Sequence, residues 1–564
     1  MELSDKKGVQ QIVLSLAAFS LKEVVIAPGS RNAPFVLSFN LHPNFHCTSI
    51  RDERAAAFFA LGKAIELQEP VILLCTSGSA ALSFAPAIAE AYYQRIPLIV
   101  ITADRPKSWT HQGDGQTMNQ TNIYQNYIRK SFDLDGDATE KEDLWWIRRM
   151  VGECYHIATQ QDKGPIHLNV PLKEPLYNAA ALDISLSPSF QMPMIQKELS
   201  EQLMQDLALQ YSACQKVMVL VGQQLIQPQF EKLLIEWSQK ENVIILAEST
   251  SNLHHPHFIK NIDRCITPLD AAEEATFQPD LLITFGGAIV SKRIKAFLRK
   301  SSLKAHWNIQ PFDAMMDTYQ SLSHSIAMDG CSFLQQMLPR LSGTTSNFRF
   351  KWWELNEKTT LAHLEFMKQA AYSDLKAFDL FYQQLPEGKH LHLANSSTIR
   401  YAQLFDNQNV ASSWSNRGTS GIDGCTSTAM GAAAASREKN FILITGDVSF
   451  YYDINGFWNE EHIHNLNVII LNNEGGNIFR IIPGPRAVAE CGPYFETTLK
   501  SEARQIAQHY GWDYLSAQDE SSLIAALQTF FADSTKRTIL EIFTKSEENP
   551  RVLDAYWQFI KSNI

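Results

Sequence analysis

GDVSFYYDINGFWNEEHIHNLNVIILNNEGGNIF, residues 446–479, is the stretch whose reading decides the fold. It opens where one apolar run, FILITGD (441–447), ends on Gly446-Asp447. It contains a second, LNVIILNN (466–473), which ends on Asn472-Asn473 just before Gly475-Gly476. Uninterrupted apolar runs of this length read as strands buried on both faces of a parallel sheet. Asp447 and Asn473 stand 26 positions apart, so the spacing sets two strand ends side by side at the carboxyl edge, where open α/β sheets bind ligands. An Asp carboxylate, an Asn amide oxygen and the carbonyl of Gly475 make an oxygen set suited to Mg2+, with Mn2+ as the alternative; such an ion shares its remaining positions with water and phosphate. A site of this kind holds a diphosphate. Taken singly, Asp447 reads equally as a helix cap and NNEGGN as a surface turn; it is the pairing at two strand ends that favours a ligand site.

Working outward, HLHLANSS (390–397) and TILEIF (538–543) complete the strands of a third unit. VMVLVG (217–222), VIILAE (243–248), LLITFGG (281–287) and AHWNI (305–309) mark a second. VVIAP (24–28), VILLCT (71–76), LIVITAD (98–104) and IHLNV (166–170) mark a first, with crossover helices expected over 55–65 and 80–93. The fold class is therefore α/β: three consecutive open, mainly parallel-sheet units. Their borders are read as 1–180, 195–345 and 365–564, with a Ser- and Pro-collecting linker near 179–200 and a break at SGTTSNFRF (341–349). TSGSAAL (76–82) echoes TSGIDGCTSTAM (419–430), which reads as duplication or as chance likeness between Ala- and Ser-rich helices.

Composition narrows the function classes. At 564 residues, 45% hydrophobic and 19% charged, the chain is globular. Its 49 Lys and Arg against 60 Asp and Glu give −11, the wrong sign for general nucleic-acid binding. The eight cysteines include no CxxC pair and read as reduced thiols. No apolar run reaches the length of a membrane span, and the N-terminus has no cleavable apolar region. The expected setting is the cytoplasm.

The GD/NN pattern resembles the cofactor motif of thiamine diphosphate enzymes over the whole chain. That resemblance implies a pyrimidine-binding domain first, a middle domain, and a diphosphate-binding domain last. Val448 departs from it, since many relatives have Gly or Ala there, but it touches no proposed ligand. The resemblance also calls for a carboxylate that hydrogen-bonds the cofactor's aminopyrimidine nitrogen. Glu53, in SIRDERAAAFFALG (49–62), is that candidate; a helix N-terminal carboxylate paired with Arg51 or Arg54 is the alternative.

PGSRNAP (28–34), TSGSA (76–80), TADRP (102–106), GDGQTMNQ (113–120), ANSSTIR (394–400) and SNRGTSGIDG (415–424) are together similar to the 2-succinyl-5-enolpyruvyl-6-hydroxy-3-cyclohexene-1-carboxylate synthase family. The resemblance implies a carboligase of menaquinone biosynthesis that decarboxylates 2-oxoglutarate and adds the four-carbon succinyl unit to isochorismate. Both substrates are dianions, and Arg pairs bidentately with carboxylate at every working pH. Arg400 and Arg417 match positions nearest the thiazolium; Arg31, Arg105 and Arg293 match the isochorismate side, with Ser30, Gln116 and Lys292 adding hydrogen bonds or charge. Each Arg alone also reads as a surface or ion-pair residue. Gly115 stands where the family has Asn.

By the same resemblance, Ile422 props the cofactor in its bent form, Asn395, Ser396 and Ser420 lie along it, and Ile478 with Phe479 lines the succinyl pocket. Ile422 and Phe479 read equally as core. IPGPRAVAECGP (482–493) is expected to cover the site. The only adjacent His pair, His254-His255, lies in the second unit, and a lone His111 stands in the first, which disfavours a plain decarboxylase. His390/His392 and His462/His464 have no third ligand in view, so they are not read as a metal site. Because Glu53 and the diphosphate site fall in different units, the resemblance implies a homodimer or homotetramer in which Glu53 serves a partner's cofactor. The rivals are an acetolactate synthase-type enzyme and a catalytically silent protein of the same fold.

Overall fold

A computed structural model describes residues 2–160, 162–182, 190–193, 195–406, 408–459, 461, 463–498, 500–532 and 537–564. His462 and part of the linker lie outside them. The apolar runs form the strands expected of them. The strands of the first sheet are Glu23–Ile26, His46–Ser49, Val71–Cys75, Leu98–Asp104, Ser131–Asp133 and Ile166–Pro171, and of the third Lys389–Leu393, Val410–Trp414, Phe441–Gly446, Leu466–Asn472, Asp513–Ala517 and Thr538–Phe543; no apolar run predicts His46–Ser49, Ser131–Asp133, Val410–Trp414 or Asp513–Ala517. Both sheets are parallel, and both follow one spatial order: second, first, third, fourth, sixth, fifth. The middle sheet, of Val217–Val221, Val243–Ala247, Phe258–Ile259, Leu281–Phe285, Ala305–Gln310 and His324–Ala327 in chain order, runs differently: third, second, first, fourth, fifth, sixth. Central strands are fully buried because their Val, Ile and Leu side chains meet helices on both faces.

The fold divides into two compact units. One holds residues 1–194, 416–439 and 449–466; the other holds 195–415, 440–448 and 467–564. In the first, Glu2–Ser4 pairs antiparallel with Ala179–Ala181, so the start of the expected linker is a short strand. Two small-residue helices, Glu53–Leu67 and Cys425–Ala435, cross very closely there. A Cβ on Gly62 would lie 2.0 Å from the Thr428 carbonyl oxygen, and one on Gly431 would lie 2.0 Å from that of Phe59. Only glycine admits such backbone contact. The helix expected over 80–93 is broken at Phe84 into Ser79–Ser83 and Ala85–Gln94: Pro86 has no N–H to carry the ladder through.

In the second unit, a 22-residue helix begins at Phe348 and runs to Gln369, so the expected break at 341–349 ends in the first turn of a long helix. The core beneath the third sheet gathers Phe378, Phe381, Leu391, Ile442, Ile469, Leu540 and Tyr556.

Candidate active site

In the unit that contains the third sheet, Gly446 ends one strand and Asp447 opens the short helix Asp447–Tyr452. Its carboxylate is 1% exposed. One oxygen accepts from the Val448 N–H at 2.7 Å, the other from the Gly475 N–H at 2.8 Å. Burial outweighs both bonds and, with the buried carboxylates Asp374 and Glu541 adding to it, pushes the Asp447 pKa up to about 7. Asn473, also buried, donates from Nδ2 to Asp374 Oδ2 at 2.8 Å. Its Oδ1 is buried without a partner among the described residues. Gly475 has φ +142, where an L side chain is strained, and a Cβ there would meet the Glu496 carbonyl oxygen at 2.6 Å; the turn demands glycine.

A stranded amide oxygen and a carboxylate tethered to the same glycine turn therefore fit a hard cation, with Asp447, Asn473 and the Gly475 carbonyl as its protein donors. Among the described residues no three His, Cys, Asp or Glu converge; this oxygen set needs only one carboxylate.

Nearby in sequence, Ile478 is buried, while Phe479 is half-buried and packs against Phe495 at 5.7 Å between ring centroids. Ser396, at φ +77, leads into the helix Ser397–Ala402, and Arg400 donates back to the Ser396 carbonyl. Asn395 is buried, its Oδ1 accepting from Ser415 Oγ at 3.4 Å. Lys292 and Arg293 open the helix Lys292–Arg299 and are exposed, with the Arg293 guanidinium 4.6 Å from the Trp557 ring. Asp263 brings Arg293 and Arg400 into one neighbourhood: its enclosure raises its carboxyl, while the Ser291 hydroxyl and both arginines oppose that rise. The turn before Lys292 is held by buried Glu248, which accepts from Val290 N–H at 2.6 Å and Ser291 N–H at 2.7 Å.

In the other unit Glu53 is the first residue of its helix, half-buried, with Asp52 capping through the Ala55 N–H at 3.0 Å. The arginines beside it face elsewhere. Arg54 donates to the Tyr452 carbonyl at 2.6 Å, and Arg51 lies over Trp458. Arg31 is buried; it donates to the Leu172 carbonyl at 2.9 Å and pairs with Glu174 at 3.1 Å. Burial and then the nearby Arg105 lower its pKa, while Glu174 and Asp104 oppose that, so the two guanidiniums lie in one neighbourhood together with these carboxylates. Arg105 pairs with Asp114. Ser30 and Gln116 are exposed, and Gly115 has open space where a side chain would stand.

Arg417 leads the loop of Ser420 and Ile422. Ile422 is half-buried rather than core, and Ser420 has φ +63. Sequence reading missed what fixes this loop: Glu90, 1% exposed, accepts from Gly418 N–H, Thr419 N–H and Thr419 Oγ1, all at 2.6 Å. A lone acid in APAIAEAYY was the available sign. Asp374 was missed too, because SDLKAF reads as an ordinary helix start.

Three family descriptions cover the chain: the N-terminal TPP binding domain of thiamine pyrophosphate enzymes over residues 6–123, their middle domain over 189–392, and their C-terminal TPP binding domain over 395–542. The molecule is thus of the thiamine pyrophosphate enzyme class. Full-length relatives narrow this. The 2-succinyl-5-enolpyruvyl-6-hydroxy-3-cyclohexene-1-carboxylate synthase of Flavobacterium johnsoniae is 40% identical over 97% of this chain and 98% of its own. Those of Christiangramia forsetii and Porphyromonas gingivalis are 41% identical over 100% of both chains, and 36% identical over 99% and 98%. The chain belongs to this synthase family.

Proposed function

We propose that the chain consumes 2-oxoglutarate and isochorismate, releases carbon dioxide, and forms 2-succinyl-5-enolpyruvyl-6-hydroxy-3-cyclohexene-1-carboxylate for menaquinone biosynthesis. Full-length likeness to synthases named for that product carries the reading. Thiamine diphosphate, held by the residues named below, would supply a carbon nucleophile for the 2-oxoacid and an electron sink for its decarboxylation. Asp447, Asn473 and the Gly475 carbonyl hold Mg2+, which neutralises the diphosphate; the stranded Asn473 oxygen supports this. Glu53 holds a proton at the pyrimidine nitrogen, and Asn395, Ser396, Ser420, Ile422 and Ile478 position the cofactor. Arg400 and Arg417 orient the carboxylates nearest the reacting carbon, while Arg31, Arg105, Arg293, Lys292, Ser30 and Gln116 orient isochorismate, and Phe479 closes the apolar side of the succinyl chain.

A dicarboxylate pair in a protein of net charge −11 requires such local arginines, of which Arg31, Arg105 and Arg400 are held by a neighbouring acid or carbonyl before substrate arrives. The enzyme works as a homodimer or homotetramer in the cytoplasm, with Glu53 serving its partner's cofactor. No helix among the described residues is long and apolar enough to cross a membrane.

The test supplies purified protein with thiamine diphosphate, Mg2+ and either 2-oxoglutarate or pyruvate, with and without isochorismate, and follows isochorismate absorbance and product mass. Loss of isochorismate with a product enlarged by four carbons is expected only with 2-oxoglutarate. Conversion of pyruvate to acetolactate with isochorismate untouched would overturn the reading in favour of an acetolactate synthase-type enzyme.

A further inference from the structure

Asp374 is a fully buried carboxylate that the proposed chemistry does not use. It opens the helix Asp374–Gln384, 99 positions before Asn473. The hydrogen bonds around it leave one consistent assignment of donors. The Asp374 backbone N–H donates to Asn549 Oδ1 at 2.8 Å, so the Asn549 amide must present Nδ2 on its other side, and that group donates to Thr544 Oγ1 at 3.2 Å. The Thr544 hydroxyl spends its only proton on Asp374 Oδ1, at 2.6 Å. Ionised Asp374 can only accept, so its second oxygen takes the Asn473 Nδ2 proton. An amide is nearly symmetric in shape, and its direction is set only by its partners. Here a chain of bonds that begins at a backbone N–H turns the Asn473 nitrogen inward and leaves Oδ1 outward, buried and unpartnered.

We propose that Asp374 is a positioning residue for the cation: it fixes the Asn473 amide so that oxygen, not NH2, faces the ion. This rests on the reading of Asp447 and Asn473 as cation ligands. Outer partners that orient a ligand typically contribute about 10- to 100-fold in metal affinity.

The experiment measures Mn2+ affinity of the full-length protein by electron paramagnetic resonance, with saturating thiamine diphosphate and without substrates. Asp374→Asn, which can offer NH2 to the Asn473 oxygen and turn that amide round, should weaken Mn2+ about tenfold. Asn473→Asp should weaken it as well, since two carboxylates would then face each other where 2.8 Å now separates donor and acceptor. The exchanged pair, Asp374→Asn with Asn473→Asp, restores one donor and one acceptor and should bind within about threefold of the parent. Thr544→Val keeps the Asp374–Asn473 bond; it should lower the melting temperature and hold affinity to the same margin, which separates orientation from packing.

The proposal falls if Asp374→Asn binds Mn2+ like the parent, or if the exchanged pair binds no better than Asn473→Asp. Should Asp374→Asn not fold, the second comparison decides alone. Asp447→Ala is the control on the underlying reading: unchanged Mn2+ affinity there removes the cation site and the proposal with it, whereas loss there beside a neutral Asp374→Asn removes the proposal only.

Discussion

Replacing Glu90 by Gln changes one oxygen to NH2 in a buried site whose four contacts all need an acceptor. Oε1 accepts from Gly418 N–H and from Gln94; Oε2 accepts from Thr419 N–H and from the Thr419 hydroxyl. The hydroxyl and the Gln94 amide can turn round to accept from the new NH2. A backbone N–H cannot. Whichever way the Gln amide sits, one of the two backbone donors is left facing another donor. Losing one charge-assisted bond and stranding one buried donor costs about 3 kcal/mol, a factor of about 10² in the opening equilibrium. Hydrogen exchange followed by mass spectrometry on peptides spanning 415–424 reads this directly, because amides protected by local structure exchange through local opening. Glu90→Gln should speed the Gly418 and Thr419 amides about 10²-fold, whereas Thr419→Val, which removes only the hydroxyl bond, should speed them about fivefold for roughly 1 kcal/mol. Since Arg417 rides on this loop, the substrate KM should rise more than kcat falls. Unchanged exchange at both amides in Glu90→Gln would refute the clamp.

Glu53→Gln keeps the shape and loses the ionisable proton, so turnover at saturating thiamine diphosphate should fall about 10²–10⁴-fold; near-normal turnover contradicts the role given to Glu53. Arg105→Ala should raise the apparent KM for isochorismate about tenfold and leave that for 2-oxoglutarate nearly unmoved, as expected for a charged hydrogen bond of about 1.5 kcal/mol; equal effects argue against that division of the arginines. His167 is fully buried between Thr102 Oγ1 at 2.7 Å and Ser131 Oγ at 3.0 Å, and burial pulls its pKa down to about 3. The unfolded chain takes up that proton below about pH 6.5 and the folded one does not until near 3. The contribution is therefore complete above about 6.5 and is lost on acidification at about 1.4 kcal/mol per pH unit. His167→Gln should flatten the fall in unfolding free energy, read from urea melts between pH 6.5 and 5, by that amount, and an unaltered slope would contradict it.

The legible strands were those whose both faces are buried. FILITG and LNVIIL are apolar throughout because helices cover them on either side. The strands of these two sheets without such a run, His46–Ser49, Ser131–Asp133, Val410–Trp414 and Asp513–Ala517, are the sheet edges, and their mixed burial left no pattern to read. The candidate site divides in the same way. Asp447, Asn473 and Gly475 could be read because two short segments carry them at strand ends. Glu90 meets its loop across 328 positions and Asp374 meets Asn473 across 99, so nothing in local spacing marks either acid.

The echo between TSGSAAL and TSGIDGCTSTAM also looks different once strand order is known. In the first sheet the helix that follows the second strand is Glu53–Leu67, whereas TSGSAAL follows the third; in the third sheet the helix that follows the second strand is Cys425–Ala435. The two sheets share one spatial order, so topology pairs Cys425–Ala435 with the Glu53 helix and not with the segment whose letters resemble it. Those equivalent helices are the pair that cross through Gly62 and Gly431, and a Cβ added to either glycine would meet a carbonyl oxygen of the other helix at the same 2.0 Å. Such reciprocity is what two copies of one element give when they pack about a local two-fold axis. It accounts for the run of small residues in both helices without reference to catalysis. It also ties the segment that begins at Glu53 to the one that follows Arg417, Ser420 and Ile422, because neither helix can shift along the other while both glycines are in backbone contact. The shared strand order and the reciprocal helix contact relate the first and third sheets where the letters of TSGSAAL and TSGIDGCTSTAM do not, and the contact gives the two loops of the proposed chemistry a common place in the fold.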